Sequence, residues 1–172
     1  MIRSFCVLFF VSFVFVGAIS SRAMADGQPR LIGSYGDWEA YVFFEDGEKV
    51  CYMATQPISK AGDYNKRGEA FMLITHRPAD RTRDVFSYIA GYDYKSGGEA
   101  EVDIDGQKIA LYTQDKTAWA PDAEIDGKLA ESIRDGNKMV IKGTSSRGTD
   151  TIDTISLKGS SAAYNHISRE CR

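Results

Sequence analysis

The chain has 172 residues, of which 43% are hydrophobic, 26% charged and 12% aromatic, with 16 glycines, 4 prolines and a formal net charge of −3. These figures exclude a disordered tail, a collagen-like repeat and a cysteine-dense miniprotein. Mild acidity also argues against sequence-independent nucleic-acid binding, which needs a basic face to displace counterions.

The first 25 residues read as a secretory signal peptide. Arg3 supplies a positive start, residues 5–19 are apolar apart from Ser12 and Gly17, and Ala23-Met24-Ala25 offers a small-residue cleavage site. The run is too short to span a bilayer, for which about 20 apolar residues are needed. Cleavage after Ala25 is expected, with no stable transmembrane segment afterwards. It would remove Cys6 and leave residues 26–172 as a single domain with 19 basic against 24 acidic side chains, a net charge of −5.

Cys51 and Cys171 survive that cleavage. In an oxidising compartment two such thiols usually pair, and closing a loop of about 120 residues would stabilise the fold by roughly 5 kcal/mol in the chain-entropy model. Two separately buried thiols are the alternative. Neither cysteine has a CxxC partner, so nothing points to thiol redox chemistry or zinc.

Period-two patterning with turn residues at short intervals predicts antiparallel strands through most of the chain. The first hairpin joins residues 38–44 to 49–56 through Glu45-Asp46-Gly47-Glu48. In its first strand Trp38, Ala40, Val42 and Phe44 point one way and Glu39, Tyr41 and Phe43 the other. Both sides are largely apolar, so the strand belongs inside a sheet or has one face covered by something else. Residues 57–68 turn polar and are expected to form a long exposed loop. Strands resume at 70–76 and 85–92, flanking the charged segment 77–84. Asp105-Gly106 then joins 101–104 to 107–113 in a tight hairpin.

Ile125, Leu129 and Ile133 recur at helical spacing, with Asp122 or Asp126 able to cap the start and Gly136 the end. Strands at 138–144 and 151–157 follow, joined by the loop 145–150. A last helix, opened by Ser160 or Ser161, runs to Glu170 and turns Ala163, Ile167 and Cys171 to one side. The expected fold is a mainly β, antiparallel β-sandwich of about eight strands with two short helices.

Catalytic signals are sparse. No GxSxG, P-loop, GxGxxG or HExxH motif occurs. His76 and His166 lack metal-ligand spacing, and serve a small hydrolase only if acids from distant strands join them. Asp103 and Asp105 share a strand face but lack the further ligands of a calcium loop. A periplasmic small-ligand carrier would need an enclosed cavity of roughly 300 Å³ or more between the layers. No cofactor or metal is implied.

Two features suggest a binding surface. Arg77, Arg81 and Arg83 lie in HRPADRTRD, which would either grip an anionic group or pair locally with Asp80 and Asp84. The aromatics Tyr35, Trp38, Tyr41, Phe43 and Phe44 form one stretch, and Phe86, Tyr88, Tyr92 and Tyr94 a second. In the second, Tyr88, Tyr92 and Tyr94 follow one face and would be either an adhesive patch or core filling.

Several segments together resemble one family. They are Gly36-Asp37-Trp38, the run Val50-Cys51-Tyr52-Met53-Ala54-Thr55-Gln56-Pro57, the run Asp153-Thr154-Ile155-Ser156-Leu157-Lys158-Gly159, and Ser160-Ser161-Ala162-Ala163-Tyr164. They resemble the invasion-associated locus B family of alphaproteobacterial envelope proteins. The resemblance implies an exported, Gram-negative envelope β-sandwich, periplasmic or surface-associated, with no established catalytic residues and a link in some pathogens to host-cell invasion. An unknown macromolecular partner, an envelope component or a host-cell surface, is then expected. Many members carry a second cysteine soon after the tryptophan, where this chain has Ala40 to Phe43, which leaves Cys171 as the partner for Cys51.

Overall fold

A computed structural model describes residues 27–172 of the chain. The expected leader, residues 1–25, lies outside the described residues.

Eleven strands form one continuous antiparallel sheet. They are β1 (Arg30–Tyr35), β2 (Trp38–Glu45), β3 (Glu48–Thr55), β4 (Ser59–Gly62), β5 (Phe71–Arg77), β6 (Thr82–Ile89), β7 (Glu99–Ile104), β8 (Gln107–Gln114), β9 (Thr117–Trp119), β10 (Lys138–Thr144) and β11 (Asp150–Ser156). Their order is β1-β2-β3-β5-β6-β9-β8-β7-β10-β11-β4. All eight expected strands are present, and the strand count rises by β1, β4 and β9. Each of the three escapes a periodicity search for its own reason. β1 contains Gly33 at a register shift, β4 is the fully exposed Ser-Lys-Ala-Gly, and β9 has only three residues.

The sheet folds over on itself, so that the inner sides of β2, β5 and β6 meet those of β10 and β11. Tyr88 on β6 donates its hydroxyl proton to Asp153 on β11, and the Trp38 indole N–H donates to the Ser156 carbonyl at 3.0 Å. Between the layers Trp38, Met53, Met72, Phe86, Met139 and Ile155 are fully buried. Each such side chain contributes about 1.5–3 kcal/mol relative to exposure, before the entropy of ordering it.

Two helices cover the rest of the inner side. In α1 (Ala123–Asp135) the Asp122 carboxylate accepts the Ile125 N–H at 2.9 Å, a side-chain cap for one orphan donor, while Leu129 and Ile133 face the core. In α2 (Ser160–Glu170) the buried side chains are Ser160, Ala163 and Ile167. The serine expected to cap α2 does something else: Ser160 lies inside the first turn and donates to the Ile133 carbonyl at 2.7 Å, joining the two helices. Gly159 takes the cap position at φ +98°, and a Cβ there would stand 1.9 Å from the Tyr35 carbonyl oxygen, so only glycine fits.

Cys171 follows α2 and is bonded to Cys51 on β3, with the Cα atoms 5.9 Å apart and both residues buried. The link fastens the chain's last turn to its third strand.

Candidate binding face

Because side chains alternate along a strand, burying Trp38, Ala40 and Val42 sends Glu39, Tyr41 and Phe43 to the other side. The register carries that side across the sheet. One row runs Glu39, Ala54, Leu73, Ser87, Trp119, Tyr112 on neighbouring strands, and the next runs Tyr41, Tyr52, Thr75, Val85. Tyr41 and Tyr52 stack with centroids 5.0 Å apart, and Phe43 meets Tyr52 edge-on at 6.0 Å. Such pairs contribute about 0.5–1.5 kcal/mol beyond area. Phe71 and Tyr112 remain 37% and 48% exposed.

The same outer side changes character on β7, β8 and β10. There Glu101 holds Lys108 at 3.1 Å and Lys142 at 3.7 Å, the charged surface expected of a strand facing water. Both helices and the second layer pack on the inner side. Among the described residues no helix or second layer packs on the more apolar half of this outer side.

An open groove of about 670 Å³ crosses this half. Tyr52, Ala54 and Leu73 form its floor, and Ile58, 65% exposed, stands on one wall. The wall is fixed by backbone contacts: Ile58 N–H donates to the Thr154 carbonyl at 2.8 Å, and the Thr55 hydroxyl donates to the Asp37 carbonyl at 2.5 Å. At the other lip the Tyr41 hydroxyl donates to Glu39 at 2.5 Å. That bond, reinforced by burial, pushes the Tyr41 phenol up to about 12. The Tyr41 phenol therefore stays protonated as the donor to Glu39. The concavity lies outside the sheet, where a carrier's chamber would lie between the layers.

The second aromatic stretch, read as either an adhesive patch or core filling, lies away from this face. Tyr88 and Tyr94 are 0% and 6% exposed, and Tyr92 is half-buried, its hydroxyl 2.6 Å from the Thr151 hydroxyl. They surround a buried ion pair. Arg67 donates to both oxygens of Asp153 at 2.7 and 2.5 Å and to the Ala90 carbonyl at 2.7 Å, and its guanidinium lies 4.9 Å from the Tyr92 ring centroid. Burial and the Asp153 carboxylate push the Tyr88 phenol far up, so it is a permanent donor. Segment 57–68, expected to be an exposed loop, thus supplies both β4 and the core's buried cation. The polar pattern hid this, because an arginine can be buried only with a partner that lies 86 positions away in sequence.

The arginines of HRPADRTRD pair or point to water. Arg77 donates to Glu45, while Arg81 and Arg83 are exposed, and the three form no common anion grip. Asp103 and Asp105 serve turns: Asp103 accepts the Gly106 N–H at 2.8 Å, and Asp105 accepts the Asn137 and Lys138 N–H groups at 2.8 and 3.2 Å.

His76 is fully buried in an arrangement that resembles a Ser-His-Asp triad. Ser168 Oγ lies 3.0 Å from Nε2, and an Asp84 oxygen lies 3.8 Å from Nδ1. Its polarity is reversed, however. The Asp84 backbone N–H donates to Nδ1 at 3.1 Å, so the ring proton sits on Nε2 and is given to Ser168. A histidine that donates to the hydroxyl is not its base. Burial also lowers the His76 pKa, partly opposed by Asp84, and keeps the ring neutral. His166, half-buried, pairs with the Tyr35 hydroxyl at 2.6 Å and has no acid beside it in its hydrogen bonds.

Fold and site together define a disulfide-closed, all-antiparallel β protein whose helices are confined to one side and whose opposite side presents open aromatic surface. A sequence profile described as "Invasion associated locus B (IalB) protein" matches residues 38–168, and the chain belongs to that family. Among solved structures, the crystal structure of invasion associated protein B from Bartonella henselae is similar at a TM-score of 0.57 and 15% identity, covering 80% of this chain and 95% of that one. At that identity the likeness concerns the fold. No curated protein matches the sequence.

Proposed function

We propose that this protein is an exported, non-enzymatic component of a Gram-negative cell envelope, periplasmic or surface-associated, that holds a macromolecular partner on the outer face of β2, β3, β5, β6 and β9. The partner is an envelope component or a host-cell surface molecule, and a contribution to invasion is the phenotype that the family's description suggests. One observation carries the reading: most outward positions of these strands are aromatic or aliphatic, interrupted by Glu39, Thr75 and Ser87, whereas on β7, β8 and β10 the same side of the sheet carries the Glu101, Lys108 and Lys142 charges. Export is supported by the apolar leader with Ala23-Met24-Ala25, and by a disulfide between the two cysteines that remain after it. The non-catalytic reading is supported by the reversed polarity of the His76 cluster.

The test is photocrosslinking in intact cells from probes placed at Tyr52 and Tyr112, compared with probes at Glu101 and Lys142. A partner captured from the first pair and lost on Leu73→Asp supports the reading. Equal capture from both pairs, or capture unaffected by Leu73→Asp, removes it.

A further inference from the structure

The groove on the outer face has a charge pattern that selects its occupant. Its only charged lining residues are Asp37 and Glu39, both exposed and neither in an ion pair among the described residues. Two lysines lie close by without lining the groove: Lys60, 3.8 Å from Glu69, and Lys158, whose carbonyl accepts the Asp37 N–H at 3.1 Å. Beyond this acidic lip the surface becomes Leu73, Phe71 and Ile89. An unpaired carboxylate pair beside a preformed apolar trough is complementary to a chain that carries a cation next to apolar side chains.

We propose that the groove binds an extended, apolar-basic segment of a partner polypeptide, with a lysine or arginine at Asp37 and Glu39 and aliphatic or aromatic side chains over Ala54, Leu73 and Phe71. This rests on the outer face being the docking surface and adds the chemistry of what docks. The trough crosses β2, β3, β5 and β6, three inter-strand spacings or about 14 Å, which matches about five residues of extended chain. Its walls are held by the Thr55–Asp37 and Ile58–Thr154 hydrogen bonds, so the segment meets a site already formed and only the segment pays the ordering cost. An acidic or neutral segment of equal hydrophobicity would cover the lip's carboxylates without supplying a counter-charge.

Fluorescence anisotropy on the exported protein tests this with three synthetic peptides of about seven residues that differ only in the first residue, Lys, Gln or Glu, with Leu and Phe at every second position after it on the same face and Ser or Thr between them. The lysine peptide should bind about three- to ten-fold more tightly than the glutamine peptide, with the glutamate peptide weakest, and the advantage should shrink with added salt. Asp37→Asn with Glu39→Gln should bring the lysine peptide to the level of the glutamine peptide at unchanged melting temperature. Equal binding of all three peptides overturns the charge selection and leaves the docking face standing. Binding of none, with crosslinked partners found on other surfaces, overturns both. Concentration-dependent self-association abolished by Leu73→Asp also overturns it, since a second copy would then be the occupant.

Discussion

Arg67 and Asp153 face each other inside the fold with side chains 3% and 1% exposed, one from the segment after β4 and the other from β11. Burial works against the guanidinium's charge, but the two hydrogen bonds to Asp153 hold its pKa above the ordinary arginine value. The pair draws in Tyr88 and stacks on Tyr92, so one ion pair gathers strands from both layers. Asp153→Ala should destabilise the protein by about 3–5 kcal/mol, because it leaves a buried cation without a partner. The double change Arg67→Met with Asp153→Leu should cost less than Asp153→Ala alone. Urea midpoints of the three proteins decide this.

The alternation on β5 makes neighbouring residues energetically unlike. Met72 is fully buried and Leu73 lies on the open face. Met72→Ala should cost about 2–5 kcal/mol and Leu73→Ala less than about 1. Comparable losses in equilibrium unfolding would mean that the outer face is covered in solution.

The Cys51–Cys171 bond should give the unreduced protein a mass about two daltons below the reduced form. Both residues are buried, so thiol reagents should find the bond only after unfolding. Replacing both cysteines by serine should cost about 2–5 kcal/mol in chemical denaturation. Free thiols in the folded protein purified without reductant would contradict the structure.

His76 predicts a pH dependence of definite sign. Burial lowers its pKa in the folded chain from the unfolded value of 6.5. Above that value the ring is neutral in both states and its share of stability is fully present. As pH falls below it the unfolded chain binds the proton first, so stability declines until the folded value is passed. Melting temperatures between pH 7.5 and 5 should fall less steeply for His76→Gln than for the parent protein. Parallel slopes would show that the ring is not held neutral.

Gly159→Ala should destabilise by more than about 1 kcal/mol, since the added methyl meets the Tyr35 carbonyl and φ is positive. Thermal unfolding measures it, and Gly97→Ala, where φ is also positive but nothing stands within 4 Å, separates the strain from the clash.

Eight strands, both helices and the cysteine pair were legible because their signals are local: alternation, helical spacing, an Asp-Gly turn, and a count of two thiols. β4 and the burial of Arg67 were illegible because polar residues read as loop unless their partner is known. Which aromatic stretch would be buried was illegible for a related reason. Tyr88 and Tyr41 have similar local patterns, and what separates them is Asp153 behind one and open solvent before the other.

The amino-acid order settled which residues share a side of each strand, since the backbone's two-residue repeat does not depend on context. It could not settle which side of a doubly apolar strand would be covered. That choice belongs to the closing of the sheet, in which Asp153 and the two helices approach the Trp38 side and leave the Tyr41 side to water. Burial is a property of what arrives from elsewhere in the chain, and no local pattern encodes the arrival.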